Sequence, residues 1–211
     1  MTRRQQAVET KARIVKYAWQ QIWEKGYEET TISDICRAAG ISNGNFYHYF
    51  ASKDDMLLFG YMRFDKFVEE EFSKRPFETV TDAIFALINE QVSGVCSVGP
   101  KLQNHMFQAQ LRLRGGYVID EERYFPRYLR QLVDRAVETG EIHPSHSAEE
   151  VTRTILQVAR GVLFDWSLRT GSFSAEQRVM QTLNLIFTAL RQPRVPDREE
   201  QSAVSIDPKA P

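Results

Sequence analysis

The sequence predicts an all-α protein in which a small N-terminal unit precedes a larger helical one. Three observations predict this class. Apolar residues recur at the three- and four-residue spacing of amphipathic helices from residue 5 to residue 191. No segment shows the alternation of apolar and polar residues that is typical of a half-buried strand. Several helical segments also open with Ser or Thr followed three residues later by Asp, Glu or Gln, which is the pattern of a capping box.

The composition is that of an ordinary globular protein, with 42% hydrophobic and 26% charged residues in 211. No apolar run is long enough to span a bilayer, and the first eleven residues lack the apolar stretch of a secretory signal. We therefore expect a cytoplasmic protein with no membrane partner. Cys36 and Cys96 lie on separate predicted helices without metal-ligand spacing, so we expect reduced thiols, no metal and no cofactor.

The charge is unevenly distributed along the chain. Residues 1–53 hold eight Lys or Arg against five Asp or Glu, a net charge of +3, and the remainder carries −4. The N-terminal quarter is therefore the basic part, although this modest asymmetry decides little alone.

The first predicted helix covers residues 5–25. Ile14, Ala18 and Ile22 belong to one apolar stripe, with charged and polar residues elsewhere on the helix. Gly26 follows, as expected where the chain leaves a helix in a left-handed conformation.

Residues 30–53 predict two short helices joined by a tight turn at Gly40. Thr31 and Asp34 form the capping box that opens the first, about residues 32–39, and Ser42 caps the second, about residues 43–49. This is the helix-turn-helix arrangement that places one helix in the major groove of DNA.

Four aromatic residues lie within five positions of the second short helix. Helical spacing turns Phe46 and Phe50 inward, and one interpretation is that all four are core aromatics. Four such side chains cannot all face one core, however, so Tyr47 or Tyr49 must lie outward. Hydroxyls, amides and the Lys53 ammonium on the outer surface suit phosphate oxygens and base edges.

The rest of the chain is helical in pattern as well. A longer helix, opened by a capping box of Ser52 and Asp55, runs to about Ser73, and further helices are predicted at about 79–95, 100–115, 120–139, 148–169 and 175–191. We expect a DNA-binding domain at 1–52 and a second helical domain at 53–191, to which the family resemblance described below assigns effector binding and dimerisation. Residues 192–211 contain four of the eight prolines and predict a disordered tail.

Residues 26–57, GYEETTISDICRAAGISNGNFYHYFASKDDML, carry a specific resemblance to a known family. The segment resembles the DNA-binding domain of the TetR family of transcriptional regulators, through Gly26-Tyr27, Thr31, Ile35, Ala39-Gly40-Ile41-Ser42, Gly44, Tyr47, Phe50 and Lys53. The resemblance covers about the first quarter of the chain. The expected DNA-binding residues are Thr31, Arg37, Ser42, Asn43, Gly44, Asn45, Tyr47, His48, Tyr49 and Lys53.

The resemblance implies a ligand-responsive regulator, most simply a repressor, that binds a palindromic operator as an all-helical homodimer. The C-terminal domain would bind a small-molecule effector and hold two recognition helices roughly 34–36 Å apart, about one turn of DNA. The implied partners are double-stranded operator DNA, a second copy of the chain and an unidentified effector.

Two wide apolar stripes on the last two predicted helices favour a dimer surface independently of the resemblance. A buried core within one chain is the alternative for either stripe, but two successive stripes of this width favour a four-helix interface between two copies. The residues expected there are Val151, Ile155, Val158 and Val162 on one helix and Val179, Leu183, Ile186, Phe187 and Leu190 on the next.

An effector pocket is predicted from aromatic and polar residues on the helices of the C-terminal domain. Ordinary packing is the alternative for each of them, and Cys96 as a redox sensor would need a lowered thiol pKa. The candidates are Phe85, Cys96, His105, Phe107, Gln110, Tyr117, Tyr124 and Trp166.

Two other functions remain open from the sequence. One is a constitutive or architectural DNA-binding protein without a ligand. The other, an all-helical enzyme, is disfavoured because the chain shows no nucleophile elbow, no carboxylate pair with a histidine and no phosphate loop. We therefore expect no catalytic residues.

Overall fold

The computed structural model describes residues 3–113 and 116–193, with side chains from residue 6 onward. All regular secondary structure in these ranges is helical, which confirms the predicted all-α class. The helices are α1 (Arg3–Lys25), α2 (Ile32–Ala39), α3 (Asn43–Tyr49), α4 (Lys53–Leu58), α5 (Gly60–Glu70), α6 (Val80–Val98), α7 (Pro100–Arg112), α8 (Tyr124–Glu138), α9 (Ala148–Leu168) and α10 (Ala175–Leu190), with a 3₁₀ turn at Phe72–Lys74.

Two hydrophobic clusters organise the fold. The first joins α1, α2 and α3, which we call the head, and it includes Ile14, Ile35 and Phe46. Leu57 of α4 and Met106 of α7 belong to the same cluster, so two helices beyond residue 52 complete the core of the head. The predicted division into domains at residue 53 stays a prediction.

The second cluster is the core of what we call the body, α5 to α10. Helix α6 packs against α8 and α10, and α9 packs against α7, α8 and α10. Leu87, Leu129, Ile155 and Leu183 are among the side chains buried between them. Among the described helices, none combines the length and the apolar character that crossing a bilayer requires.

This packing corrects the prediction that the apolar stripes of α9 and α10 form a dimer surface. Six of the residues expected at a surface lie inside the core of the same chain, because they fill the space between α9, α10 and the other body helices: Val151, Ile155, Val179, Leu183, Phe187 and Leu190. The other three, Val158, Val162 and Ile186, are half-buried. The six buried side chains are therefore not available for contact with a second copy.

The single long helix expected from Ser52 to Ser73 is interrupted at Phe59. Its amide donates to the Met56 carbonyl three residues back at 3.2 Å, and α5 begins afresh at Gly60. Three consecutive buried residues, Met56 to Leu58, pack on more than one side, which a straight surface helix does not allow. Ser52 caps α4 as predicted, because its hydroxyl accepts from the Asp55 amide at 3.0 Å. The reciprocal bond differs, since the Asp55 carboxylate accepts from the Ala51 amide rather than from that of Ser52.

Helix α8 starts at Tyr124 rather than at Asp120. The Asp120 carboxylate accepts a hydrogen bond from the Glu122 amide at 2.9 Å, a local turn that competes with helix formation. Arg123 then forms a bidentate ion pair with Asp65 of α5, at 2.8 and 2.9 Å, and this pair connects the start of α8 to the body. From residue 194 on, the predicted tail lies outside the described residues.

The Glu141 carboxylate caps the start of α6 from a distant part of the sequence. It accepts hydrogen bonds from the amides of Val80 and Thr81 at 3.0 and 2.8 Å. Partial burial acts to raise the pKa of this carboxyl, but the hydrogen bonds outweigh it and lower the pKa below the ordinary 4.5. The charged form is therefore the one that stabilises the fold.

We expect Glu141→Gln to lower the free energy of unfolding at pH 7 by about 1 kcal/mol, since solvent screens the half-exposed site. Because the folded-state pKa is depressed, the stabilisation is complete above the ordinary pKa of 4.5 and is lost as the pH falls through the folded-state value. Thermal unfolding from pH 3 to 7 at fixed protein concentration measures the difference from wild type. Glu138→Gln, at the exposed end of α8, is the control, and a difference independent of pH would contradict the charged cap.

Candidate nucleic-acid interface

Capping hydrogen bonds between residues close in the sequence hold α2 and α3 in position. The Thr31 hydroxyl accepts from the Asp34 amide at 3.1 Å, and the Asp34 carboxylate accepts from the Thr31 amide at 3.1 Å, which is the predicted capping box. Gly40 ends α2 in a left-handed conformation with φ of 66°, as the turn requires. Ser42 then accepts from the Asn45 amide and starts α3.

Helix α3 has one buried face and one open face. Phe46 is fully buried and Phe50 almost so, and their rings contact each other at 5.6 Å. The opposite face exposes five residues, namely Asn43, Gly44, Asn45, Tyr47 and His48. Tyr47 is 57% exposed, whereas Tyr49 is half-buried beside the His48 ring, so Tyr47 is the outward tyrosine.

The side of α2 next to this face is also polar. The Asn43 amide donates to the Ser33 hydroxyl at 3.2 Å, which links the outer surfaces of α2 and α3. The Arg37 side chain is 80% exposed, and its nearest acidic group is Asp34 at 3.7 Å. Hydrogen bonds from Lys25 and Thr31 hold the pKa of the Asp34 carboxyl well below its usual range. An extended guanidinium beside hydroxyl and amide groups is suited to phosphate oxygens.

The structure places the predicted phosphate-binding Lys53 in a second role. Its ammonium donates to the carbonyls of Tyr27 and Thr30 at 2.7 and 2.9 Å, and it lies 4.0 Å from the centre of the Tyr27 ring. Burial lowers the pKa of this ammonium, against the opposing effect of the Glu28 and Asp54 carboxylates. Two of its three N–H groups are therefore used within the head, and its contact with phosphate stays a prediction.

A polar junction beside Lys53 joins the head to α7. The Asp54 carboxylate accepts from the Tyr27 hydroxyl and, at 2.7 Å, from Arg112 of α7. Burial acts to raise the pKa of Asp54, but hydrogen bonds from Arg112 and Tyr27 outweigh it and keep the pKa low. His105 of α7 packs its ring 4.8 Å from Tyr27 and lies 3.4 Å from Glu28.

Sequence reasoning missed this junction and assigned His105 to an effector pocket. The acidic pair after Lys53 was visible in the sequence, but its partners lie 27 and 58 positions away. No local spacing indicates such partners, so only the packing of α7 on the head identifies them.

The other predicted effector residues do not converge on one cavity. Most make ring or polar contacts in separate parts of the fold: Phe85 with Phe187, Phe107 with Phe164, Tyr124 with Tyr128, and Tyr117 with Asp55 of α4. Trp166 is buried in the core. Burial and the neighbouring Glu176 raise the pKa of the Cys96 thiol to about 12, which disfavours a redox sensor.

Gln110 is the exception among these candidates. Its side chain is 4% exposed, and its Nε2 atom has no hydrogen-bond partner among the described residues. Gln103, about two turns earlier on α7, is buried as well, and its Oε1 atom also has no hydrogen-bond partner among the described residues. Unpaired buried amides are uncommon and indicate a place where another molecule can supply the missing bonds.

The head matches a known family at the level of sequence. The sequence model of the bacterial regulatory proteins of the TetR family matches residues 14–58. These residues run from the middle of α1 to the end of α4, and they include the capped turn and the open face of α3.

Individual relatives resemble the chain over most of its length. It is 25% identical over 175 residues to the HTH-type transcriptional repressor KstR2 of Rhodococcus jostii (strain RHA1), covering 81% of this chain and 85% of that protein. It is 23% identical over 185 residues to the HTH-type transcriptional regulator UidR of Escherichia coli (strain K12), covering 83% and 92%.

The fold is that of a solved repressor. The structure of Thermus thermophilus FadR, a TetR family transcriptional repressor in complex with lauroyl-CoA, matches with a TM-score of 0.68 and 19% identity, covering 89% of this chain and 98% of that one. At this level of identity the likeness shows the fold alone.

We expect Lys53→Ala to lower the free energy of unfolding by about 1–3 kcal/mol, because two backbone carbonyls of the head lose a charged donor. Chemical denaturation at fixed protein concentration measures the change. Arg37→Ala, which removes an exposed cation of the same unit, should stay within about 0.5 kcal/mol of wild type. Equal stability of the two variants would contradict the structural role of Lys53.

Proposed function

The chain is a member of the TetR family of bacterial regulatory proteins, and we propose that it is a repressor that binds palindromic operator DNA as a homodimer. A small molecule that binds in the body releases it from the operator. The observation that carries the proposal is the open, polar face of α3, which is held outward by the buried Phe46 and Phe50.

The geometry of the head supports recognition of the major groove. In helix-turn-helix proteins the second helix lies in the groove and its first residues reach the base edges. Here those first residues are Asn43, Gly44 and Asn45, and side-chain amides pair well with adenine. Arg37, Tyr47 and His48 border them and supply the phosphate contacts.

The weak charge of the head supports a dimeric repressor. A net charge of +3 for residues 1–53 gives one head little non-specific affinity for a polyanion. Two heads joined in one molecule gain a high effective concentration for the second half-site. The two copies of α3 would then lie roughly 34–36 Å apart, on the same side of the duplex.

The outer face of α9 and α10 suits a second copy of the chain. It exposes Gly161 and Leu168 of α9 and Leu185 of α10, and Leu185 is 74% exposed. Gly161 has open space where a Cβ would lie, so another helix can approach it closely. Two such helices pairing with their copies form a four-helix interface about a twofold axis.

The interior of the body supports an effector site near α7. Gln103 and Gln110 leave one buried atom each without a partner in the described part of the chain. Val118 links Gln110 to Arg160 of α9, since its amide donates to Gln110 at 3.4 Å and its carbonyl accepts from Arg160 at 3.2 Å. Burial lowers the pKa of this half-buried guanidinium. A ligand with several polar groups would satisfy these atoms. The Thermus protein was solved in complex with lauroyl-CoA, a small molecule that carries such groups.

Release from DNA follows from a difference in affinity. An effector lowers operator binding only if it binds more tightly to the arrangement in which the two heads do not fit the half-sites. Helix α7 contacts the head through Arg112 and His105 and carries the unpaired glutamines, so it connects the two sites.

The direct test is fluorescence anisotropy with duplexes from the region upstream of the gene. Tight binding to one palindromic segment, lost on scrambling it, is expected. Equal affinity for the scrambled duplex would contradict sequence-specific repression.

Two substitutions on the head should separate phosphate binding from base reading. Arg37→Ala should weaken binding to every duplex and lower the slope of log K against log salt concentration by about one. Asn43→Ala should instead change the preferred base within each half-site, with a loss of about 1–3 kcal/mol for the native operator only. Lys66→Ala, on an exposed face of α5, is the control and should leave both quantities unchanged.

We expect Leu185→Glu to separate the copies without unfolding them. The side chain is exposed in one chain, but around a twofold axis the two new carboxylates would lie close together. The dissociation constant of the dimer should rise about 100-fold, measured by sedimentation velocity. Met62→Glu, an exposed apolar position on α5, should remain dimeric, and an unchanged constant for Leu185→Glu would place the interface elsewhere.

A further inference from the structure

A cavity lies between the head and the body. It is a groove of about 520 Å³ with walls from both units: Trp19 and Trp23 of α1, Phe64 and Phe67 of α5, and Val95 and Val98 of α6. Its volume is in the range of sites that hold small organic molecules. None of the eight residues predicted for an effector pocket lines it, and the unpaired glutamines of α7 do not line it either.

Two buried polar atoms in this groove lack partners. The indole Nε1 of Trp19 carries a hydrogen-bond donor, and Oε1 of Gln91 is an acceptor. Neither has a hydrogen-bond partner among the described residues. Leaving a buried polar group unpaired is unfavourable, so a ligand that offers an acceptor to Trp19 and a donor to Gln91 removes this penalty.

The charges around the groove select an anion. Arg63 lines it with an exposed guanidinium that has no ion-pair partner in the described part of the chain. Arg123 also lines it but is neutralised by Asp65. No Asp or Glu is among its lining residues. The surplus of one positive charge therefore favours a ligand with one negative group at the rim.

We propose that this groove is a second ligand site, distinct from the effector site near α7, for a mostly apolar organic anion. The aromatic walls contact its apolar part, Arg63 binds its acidic group, and Trp19 and Gln91 bind a polar group inside. The volume of about 520 Å³ and the isolated polar atoms suit a small molecule rather than a protein segment.

The position of the site has a consequence for regulation, which rests on the proposed function. Because α1 moves with the head and α6 belongs to the body, the ligand's affinity depends on how the two are oriented. Operator binding and ligand binding must then change each other's affinity by the same factor. The ligand contacts the head and the body directly, and Met106 of α7 is part of the same wall.

Binding is tested with two fluorescent probes of nearly the same shape. 1-Anilinonaphthalene-8-sulfonate has an aromatic body, an N–H donor and an anionic group, and N-phenyl-1-naphthylamine lacks only the anionic group. Arg63→Gln should weaken the sulfonate probe at least fivefold and leave the neutral probe unchanged. Lys66→Gln on the same helix is the control and should affect neither. Equal loss for both probes, or for neither, would overturn the assignment of Arg63.

Gly94 provides a way to fill the groove without disturbing the fold. It lines the groove on α6, and open space lies where its Cβ would be. Both Leu and Ala favour a helix over Gly, so both variants should fold. Gly94→Leu should weaken both probes at least tenfold, whereas Gly94→Ala should bind them like wild type. Wild-type affinity in Gly94→Leu would show that the probes bind elsewhere and would overturn the site.

The chain's three tryptophans locate the probe. With Trp166→Phe, emission comes from Trp19 and Trp23, and bound sulfonate probe should quench it strongly by energy transfer. In Trp23→Phe/Trp166→Phe only Trp19 emits, and the weaker energy transfer expected there tests whether Trp23 is part of the groove wall. Unquenched emission in Trp166→Phe would contradict the location of the probe in the groove.

Operator affinity is then measured with and without saturating probe. A change of at least fivefold in wild type, absent in Gly94→Leu, supports the coupling. Unchanged affinity in wild type overturns the coupling, whereas failure of the free protein to bind any operator would overturn the proposed function instead.

Discussion

The rest of the structure depends on the polar contacts of Lys53 and Asp54, which join three parts of the chain. Lys53 holds the turn between α1 and α2, and Asp54 binds both Tyr27 of that turn and Arg112 of α7. These groups are partly buried, and each charge has a partner, which is the condition for such a junction to be stable. The orientation of α3 toward solvent therefore depends on contacts outside α3.

Helix α7 consequently belongs to both units. Leu102 and Met106 pack into the core of the head, whereas Phe107 packs against the body. A rigid helix shared by two cores transmits a change at one to the other, because packed side chains have few alternative arrangements. The groove beside α1 offers a shorter connection, since one ligand there would contact the head and the body at once.

Much of the head could be predicted because its determinants are local. The capping box of Thr31 and Asp34, the left-handed Gly40 and the Ser42 cap each involve residues within three positions, and all are present. The inward Phe46 follows from helical spacing in the same way. The dimer stripes were misjudged because a stripe shows that a helix has a buried face but not which neighbour buries it. Residues such as Ile155 and Leu183 meet helices of their own chain.

The sequence by itself determined the helical class, most helix boundaries, the capped turn and the family resemblance of the head, since these depend on neighbours along the chain. Only the tertiary structure decided that Lys53 binds carbonyls of its own head, that Asp54 pairs with Arg112, and that Trp19 lines a groove. The partners in these contacts lie 23 to 58 positions apart for the two charged residues. Such partners are chosen by the packing of whole helices, which no short spacing in the sequence encodes.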